Sequence, residues 1–289
     1  MSEPISVHLG QFSGSPVIAA AEHLGLDAQY GLKLTTSRVM SSPAQFQSLN
    51  TGEIDVAITS PDNVLLYGTT AKNPLETELP IRMIRAIDRG LGLALFTTAD
   101  FTETSDIPGS AIAVDVVKSG FALLLFTMLA DLGISRDQVD FPELGATPKR
   151  LTAVLAGEAD GTILNAESRI GAQEAGLKQW RTSRDISAHY LGTVLAVRRT
   201  FDPDTEQRLV GLWNETTTWL LTAPDTDVRT ALQNAGLGSA AYLELLRNPD
   251  FGLLDDPAVQ REDLDELCRI RQAAGAYSPD SDALERLLS

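Results

Sequence analysis

The stretch Gly52–Ser60 (GEIDVAITS) recurs in altered form at Gly157–Asn165 (GEADGTILN). In both copies an apolar-periodic segment runs up to a glycine, a residue that ends helices in the left-handed conformation. A short apolar run bounded by polar residues follows, and this pattern is typical of a buried strand. Each copy therefore predicts a helix, a glycine stop, a parallel strand and a polar loop.

The polar loops after the two strands are the candidate ligand-binding segments. Residues 60–63 follow the first strand and residues 165–168 follow the second. Open α/β sheets bind their ligands outside the carboxyl ends of the strands. The repeat therefore predicts an α/β protein with two lobes that approach one small molecule from opposite sides of a cleft.

Composition excludes several classes of protein. The chain has 289 residues, of which 43% are hydrophobic, and this is enough for two domains of ordinary size with real cores. Lys and Arg total 23 against 39 acidic residues, so the formal net charge is −16. Such a charge repels phosphate backbones and anionic lipid surfaces. We therefore expect neither a nucleic-acid partner nor direct membrane insertion.

The amino-terminal sequence bears on the compartment. A secretory signal carries early positive charge before an apolar stretch, but the first Lys or Arg here is Lys33 and Glu3 lies near the start. The most apolar run, Phe121–Ala130, is shorter than the ~20 residues that span a bilayer, so it predicts a buried helix. We expect no signal peptide in this chain: a cytoplasmic protein if residue 1 is the true start, and a periplasmic or otherwise extracytoplasmic one if not.

Metal and cofactor chemistry has little support in the sequence. There is one cysteine, Cys268, and the only histidines are His8, His23 and His189. No spacing typical of a zinc or iron site is present. We expect no metal and no cofactor, and we interpret Cys268 as a thiol on the apolar side of a late helix.

The order of elements predicts a βαβαβ half followed by a second α/β unit. The first half comprises strand 5–9, helix 16–24, strand 32–37, a helix capped by Ser41 or Ser42, and the first repeated phrase. Strands are predicted at 81–87, 91–97, 111–114, 139–143 and 190–197. Helices are predicted at 119–132, 148–156 and 168–176. After Pro203 the pattern is helical to the end, with breaks near prolines and glycines.

Three phrases resemble a known family. Ala19–Asp27 with Tyr30–Leu32, and then Leu49–Ala57, resemble the substrate-binding proteins of nitrate, sulfonate and taurine importers and the thiamine-pyrimidine synthases that look like them. The resemblance implies a type II periplasmic-binding-protein fold, in which two lobes close like a hinged trap. We predict lobe I from residues 1–92 and 195–289, with a helical carboxyl-terminal tail, and lobe II from residues 93–194.

The resemblance also implies a set of ligand-binding positions around the cleft. On lobe I they follow the first three strands, with one basic residue near the hinge, and on lobe II they lie at two helix starts. The predicted ligand-binding residues are Gln11, Phe12, Ser13, Ser41, Ser42, Ser60, Asp62, Asn63, Arg89, Lys118, Ser119, Gly120, Asn165 and Glu167.

Physical arguments support some of these positions independently. Ser41, Ser42 and Ser119 precede helices, whose free N–H groups and positive ends favour an anion. A serine in that position is also an ordinary helix cap, so the structural interpretation stays open beside the functional one. Asp62 and Glu167 face the same predicted space and suit a ligand that also carries a donor or a cationic group. We interpret Asp55 and Asp160, which open the two repeated strands, as structural.

Two functions remain open at this point. The first is binding of one small polar organic molecule, anionic or zwitterionic, as the solute-binding protein of an ABC-type importer with a permease as partner. The second is a cytosolic enzyme on the same fold with lyase or decarboxylase acid–base chemistry, for which His189, Asp62 and Glu167 are the weak catalytic candidates. The oligomeric state is not predicted.

Overall fold

The structure is a computed structural model, and it describes residues 3–288. Its strands are β1 (Ile5–Gln11), β2 (Leu32–Arg38), β3 (Val56–Thr59), β4 (Ile81–Asp88), β5 (Ala94–Thr97), β6 (Ile112–Ala113), β7 (Gly161–Leu164), β8 (Lys178–Thr182) and β9 (Thr193–Arg198). Its α-helices up to the last strand are α1 (Pro16–Leu24), α2 (Leu26–Gln29), α3 (Ser42–Thr51), α4 (Pro61–Thr69), α5 (Gly120–Asp131), α6 (Thr147–Leu155), α7 (Ala166–Glu174) and α8 (Ser183–Ile186). The tail helices are α9 (Pro203–Thr222), α10 (Asp225–Gln233), α11 (Ala240–Leu246), α12 (Arg261–Ala273) and α13 (Ser281–Leu288).

The strands form two mixed sheets. The first has the order β2-β1-β3-β9-β4, and the second has the order β6-β7-β5-β8. Within the first sheet β1 is parallel to β2 and β3, while β9 is antiparallel to β3 and β4. Within the second sheet β6 and β7 are parallel, and β5 is antiparallel to β7 and β8. We call the first sheet with its covering helices lobe I and the second sheet with its helices lobe II.

The chain passes from the first sheet to the second between Asp88 and Ala94 and returns between Thr182 and Thr193. The joining segments are therefore short, and they lie next to the antiparallel edge of each sheet. The boundaries that we placed at residues 92/93 and 194/195 stay a prediction.

The repeated phrase has the same structure in both lobes. Gly52 follows α3 with φ 82° and Gly157 follows α6 with φ 72°, and the strands β3 and β7 come next. In each copy an aspartate opens the strand and accepts a hydrogen bond from the backbone of the neighbouring parallel strand's chain. Asp55 Oδ2 accepts from the His8 N–H at 2.9 Å, and Asp160 Oδ2 accepts from the Ala111 N–H at 2.8 Å. The structural interpretation of both aspartates is confirmed.

Several predicted elements differ from the observed ones. The predicted strand at 139–143 is wrong, because that segment makes only isolated bridges, Ala111 with Asp140 and Val114 with Glu143. The strand predicted at 91–97 begins at Ala94, since Gly90, Leu91 and Gly92 adopt positive φ angles. Residues 60–63 were predicted as a loop, but 61–63 form the first turn of α4, and residues 64–69 carried no prediction. Strand β8 was not predicted because its sequence, KQWRT, is largely polar.

The tail packs on both lobes. Helices α9 and α10 lie against α1, and α13 lies against α4 and β4, all in lobe I. Helices α11 and α12 lie against α7 and α5, which belong to lobe II. The segment 251–257 runs along the free edge of β4, where Leu254 N–H donates to Ile87 O at 2.9 Å and Ala86 N–H donates to Pro257 O at 2.9 Å.

Two large hydrophobic clusters form the core. One cluster joins α3, α4 and β4 of lobe I with α5 of lobe II and with α12 and α13, so it is continuous across both lobes. The other fills the opposite face of the first sheet beneath α1, α9 and α10 and is centred on the fully buried Trp213. Across residues 3–288, every helix is too short or too polar to cross a membrane.

Candidate functional site

The two joining segments touch each other at Asp88, Gly90 and Gly192. Gly90 N–H donates to Asp88 Oδ1 at 2.7 Å, and Gly192 N–H donates to Asp88 O at 2.9 Å. A Cβ on Gly192 would lie 2.3 Å from Gly90 Cα, so only glycine fits there. Residues 90–92 have φ angles of 92°, 48° and 72°, a conformation that costs energy at the non-glycine position Leu91. These segments form the candidate hinge.

Asp88 is the buried acid of this hinge, with 3% of its surface exposed. Burial raises its pKa from 3.8 to about 6, against hydrogen bonds from Thr193 and Gly90 that act in the opposite direction. Burial also raises the pKa of the Tyr190 hydroxyl, and the nearby Asp62 and Asp88 carboxylates add to that increase. Asp62 therefore lies close to the hinge.

The lobes meet where the amino terminus of α4 faces the amino terminus of α5. A Cβ on Gly120 would lie 2.7 Å from Asp62 Cβ and 3.0 Å from Asp62 Oδ2. These two predicted site residues, one from each lobe, are thus in direct contact. The contact brings the start of α4 in lobe I against the start of α5 in lobe II, and it closes the space between the lobes at this point.

A tail residue completes the contact on the lobe I side. Arg271 Nη1 donates to Asp62 Oδ1 at 2.6 Å, and the two side chains are only 4% and 7% exposed. Arg271 Nε donates to Tyr277 O, and the Tyr277 hydroxyl donates to Thr69 O at the end of α4. Helix α12, which packs on α5 of lobe II, is therefore ion-paired to α4 of lobe I.

Helix α12 also contacts the predicted site residue Arg89 through an ion pair. Arg89 Nη1 donates to Asp263 Oδ1 at 2.6 Å, and Asp263 is 1% exposed. His189 Nδ1 lies 3.9 Å from that oxygen, with 56% of its side chain exposed. Arg89 is thus placed at the hinge, as the sequence suggested, with its charge balanced by the tail.

The serines that precede helices act as caps. The Oγ atoms of Ser41, Ser60 and Ser119 accept hydrogen bonds from the backbone N–H three residues later, at 3.3, 3.3 and 3.1 Å. Ser119 Oγ also donates to Asp115 Oδ1. Ser42 lies inside α3, and its Oγ is 3.3 Å from the hydroxyl of the buried Tyr67. The capping interpretation therefore holds for Ser41 and Ser119 but not for Ser42, and Ser60 is a cap that the sequence analysis did not predict. The place of these serines in ligand binding stays a prediction.

Three predicted residues lie at the end of β1 and directly after it. Gln11 Oε1 is buried and has no hydrogen-bond partner in the described part of the chain. Phe12 is 38% exposed, and Ser13 is exposed. Asn63 Nδ2 donates to Thr59 Oγ1 at 3.1 Å, which fixes its amide beside the end of β3.

On lobe II the predicted residues are spread apart. Lys118 is exposed next to the start of α5. Asn165 Nδ2 donates to Gly90 O at 3.4 Å, so this side chain contacts the hinge. Glu167 is exposed on the first turn of α7, near enough to Tyr242 of α11 to raise the pKa of that buried hydroxyl. Within residues 3–288 no hydrogen bond or ion pair joins any two of His189, Asp62 and Glu167.

Sequence reasoning missed Arg271 and Asp263. Both lie on the buried side of α12, which the spacing of Leu264, Leu267 and Cys268 defines as the apolar face. Arg271 falls four residues after Leu267 and three after Cys268, and such spacing places residues on one helix face. A charged residue on an apolar face is the signal that points to a buried partner.

Two further observations concern candidate sites elsewhere in the described residues. No group of three or more His, Cys, Asp or Glu side chains between residues 3 and 288 is arranged to hold a metal ion. Depressions of about 480 and 360 Å³ lie on α10 and α11, and neither includes a predicted site residue. The contact between the lobes therefore remains the candidate site.

Solved structures with the same fold are numerous. The alkanesulfonate-binding protein SsuA from Xanthomonas axonopodis pv. citri bound to MOPS is 18% identical, with a TM-score of 0.74 over 100% of this chain and 97% of that one. The periplasmic aliphatic sulphonate binding protein SsuA from Escherichia coli is 15% identical, with a TM-score of 0.76 over 99% and 92%. A ligand-binding component of an ABC-type import system from Staphylococcus aureus with zinc bound is 15% identical, with a TM-score of 0.76 over 99% of each chain.

These likenesses confirm the predicted fold: two α/β lobes of the type II periplasmic-binding-protein kind, with a helical tail. A sequence search against curated proteins gave no match. A family model does match, and it covers residues 2–234, which is well over half of the chain. The residues that it covers include both repeated phrases, the hinge and both sheets. The chain belongs to the NMT1-like family.

Proposed function

We propose that this protein binds one small polar organic molecule, anionic or zwitterionic, between its lobes and serves as the solute-binding protein of an ABC-type importer. The observation that carries the proposal is the contact of Asp62 with Gly120, which brings the helix starts of the two lobes together over a hinge. Free N–H groups at those starts suit the acidic group of a ligand. The structural neighbours, which are binding components of importers, support the same function.

The importer's permease is the proposed protein partner. In this proposal the protein works outside the cytoplasm, as the periplasmic binding proteins among its structural neighbours do. The outer faces of the two lobes would present the loaded protein to the permease, because closure changes their relative position.

The enzyme alternative has no specific observation in its favour. The three candidate acid–base residues have different surroundings: Asp62 is ion-paired with Arg271, while Glu167 and His189 are exposed. General acid–base chemistry needs a donor or acceptor within hydrogen-bond reach of the reacting group. Ligand binding needs only the arrangement of helix starts and polar side chains.

Native mass spectrometry of freshly purified protein tests the proposal. We expect a one-to-one complex with a molecule of low mass, and we expect its removal to increase the radius of gyration measured by small-angle X-ray scattering as the lobes open. Gly120→Leu should abolish the complex because the new side chain occupies the contact with Asp62. Ala130→Leu, on the exposed far end of the same helix, is the matched control. Turnover of the retained molecule would favour the enzyme instead.

A further inference from the structure

The buried ion pair between Asp62 and Arg271 lies where the lobes meet and is the strongest unexplained feature of the site. We propose that this pair selects a zwitterionic ligand, which presents an amine or ammonium group to Asp62 and an acidic group to Arg271. The inference rests on the proposed function, and it narrows the ligand from any small polar molecule to one with both charges.

Both members of the pair keep an unused hydrogen-bonding atom. Asp62 Oδ1 accepts from Arg271 Nη1, but Oδ2 of Asp62 accepts no hydrogen bond from any residue between 3 and 288. Arg271 donates from Nε and Nη1, while its Nη2 donates to none of the described residues. Both side chains are more than nine-tenths buried. Neither Asp62 Oδ2 nor Arg271 Nη2 is among the described side-chain atoms that are both buried and without a partner, so each retains some accessible surface and can bind a further polar group.

The free oxygen of Asp62 faces the opposite lobe. It lies 3.0 Å from the position of a Cβ on Gly120, and the absence of a side chain there allows the lobes to come this close. Opening at the hinge would separate Asp62 from Gly120 and give a ligand access to this oxygen. The ligand would then lie between the start of α4, which carries Asp62, and the start of α5.

The charges of Asp62 and Arg271 decide which class of ligand fits between the lobes. A simple anion at this position would place a second negative charge beside Asp62 Oδ2, and a simple cation would face Arg271. Either one leaves a buried charge without its full compensation, which is strongly unfavourable. A zwitterion adds no net charge, since its amine donates to Asp62 Oδ2 and its acidic group accepts from Arg271 Nη2 through charge-assisted hydrogen bonds.

Isothermal titration calorimetry of the ligand-stripped full chain tests the inference with two matched pairs of probes. The first pair is β-alanine and propionate, and the second is 2-aminoethanesulfonate and ethanesulfonate. The members of each pair differ only in the amine. We expect the amine-bearing member of at least one pair to bind at least tenfold more tightly than its partner.

Variants connect this preference to the ion pair. Asp62→Asn should reduce the preference to less than threefold, because the amide cannot pair with an ammonium charge. If that variant does not fold with Arg271 unpaired, the neutral double variant Asp62→Asn with Arg271→Gln replaces it and should show the same loss. Glu206→Gln removes a half-buried ion pair between Arg82 of β4 and the first turn of α9, and this control variant should keep the preference.

The outcomes separate this inference from the proposed function. Equal binding within both pairs, a preference for the amine-free probes, or a preference that survives Asp62→Asn overturns the inference. A molecule without an amine that co-purifies and closes the lobes also overturns it, while the proposed function stands. If no small molecule binds and closes the lobes, both fail.

Discussion

Asp88 Oδ1 accepts a hydrogen bond from the backbone N–H of Gly90 at 2.7 Å, inside the first segment that joins the two lobes. The carboxyl group is buried, and burial raises its pKa to about 6. Ionisation of Asp88 therefore occurs in the hinge near neutral pH, although an ordinary aspartate would have ionised at lower pH.

The free energy of unfolding should depend on this group. The pKa of Asp88 in the folded protein exceeds the unfolded value of 3.8. The contribution of Asp88 to the free energy of unfolding is therefore fully present below about pH 4 and is lost as the pH rises through about 6. The size of the effect should be about 3 kcal/mol. Urea unfolding of the wild type and Asp88→Asn at pH 4, 5, 6 and 7 measures it as the difference between the two proteins.

The asparagine variant keeps an oxygen for the Gly90 N–H but cannot ionise. Its stability relative to the wild type should therefore rise between pH 4 and 7, and other carboxylates, which titrate in both proteins, cancel in the difference. A difference that stays constant over this range would show that the pKa of Asp88 is not raised in the folded hinge.

Gly192→Ala should destabilise the hinge. A Cβ at this position would lie 2.3 Å from Gly90 Cα and 2.4 Å from Asp88 Oδ1, so the joining segments must move apart. We expect a loss of at least about 2 kcal/mol in the free energy of unfolding. Gly14→Ala, where nothing lies within 4 Å of the added Cβ, is the control and should change stability little. Equal stability of the two variants would contradict the close approach of the segments.

The sequence predicted the first lobe better than the second. Helix α1 begins at Pro16 and ends at Leu24 as predicted, since Ser15 caps it and Gly25 ends it. In lobe II the sheet is shorter, and strand β8 carries polar residues at an edge where no alternation of apolar residues marks it. Local signals suffice for helices with caps, while an edge strand depends on its neighbour in space.

Asp160→Ala should destabilise lobe II by about 1–3 kcal/mol, because it leaves the Ala111 N–H without its acceptor. Asp160→Asn keeps an oxygen in place and should cost less. In lobe I the equivalent Asp55 also lies 3.6 Å from Arg198, so Asp55→Asn loses an ion pair and should recover less of the stability than Asp160→Asn does. Thermal and urea unfolding of these three variants and of Asp55→Ala checks this order, and equal recovery in both lobes would contradict it.

The candidate site was only partly predictable from the sequence. The family resemblance implied both Asp62, after the first repeated strand, and Gly120, at the start of the helix after strand 111–114, and the structure brings them together. Their ionic partner, Arg271, lies more than two hundred residues after Asp62 in the tail. Only the packing of α12 against α5 brings it to the lobe contact, and no periodic pattern encodes that packing.

Gln45 provides a last test of how lobe I is built. Its Nε2 donates to Gly10 O and to Ile58 O, both at 3.0 Å, and the side chain is fully buried. The amide thus links α3 to β1 and β3 beside the predicted ligand loops. Gln45→Glu should destabilise the protein increasingly as the pH rises from 4 to 8, because an ionised carboxylate would face two carbonyl oxygens without a donor. Gln45→Met loses the same hydrogen bonds without a charge, so its loss should not depend on pH relative to the wild type. Urea unfolding across this range measures both, and parallel pH profiles for the two variants would show that the amide does not bridge the strands.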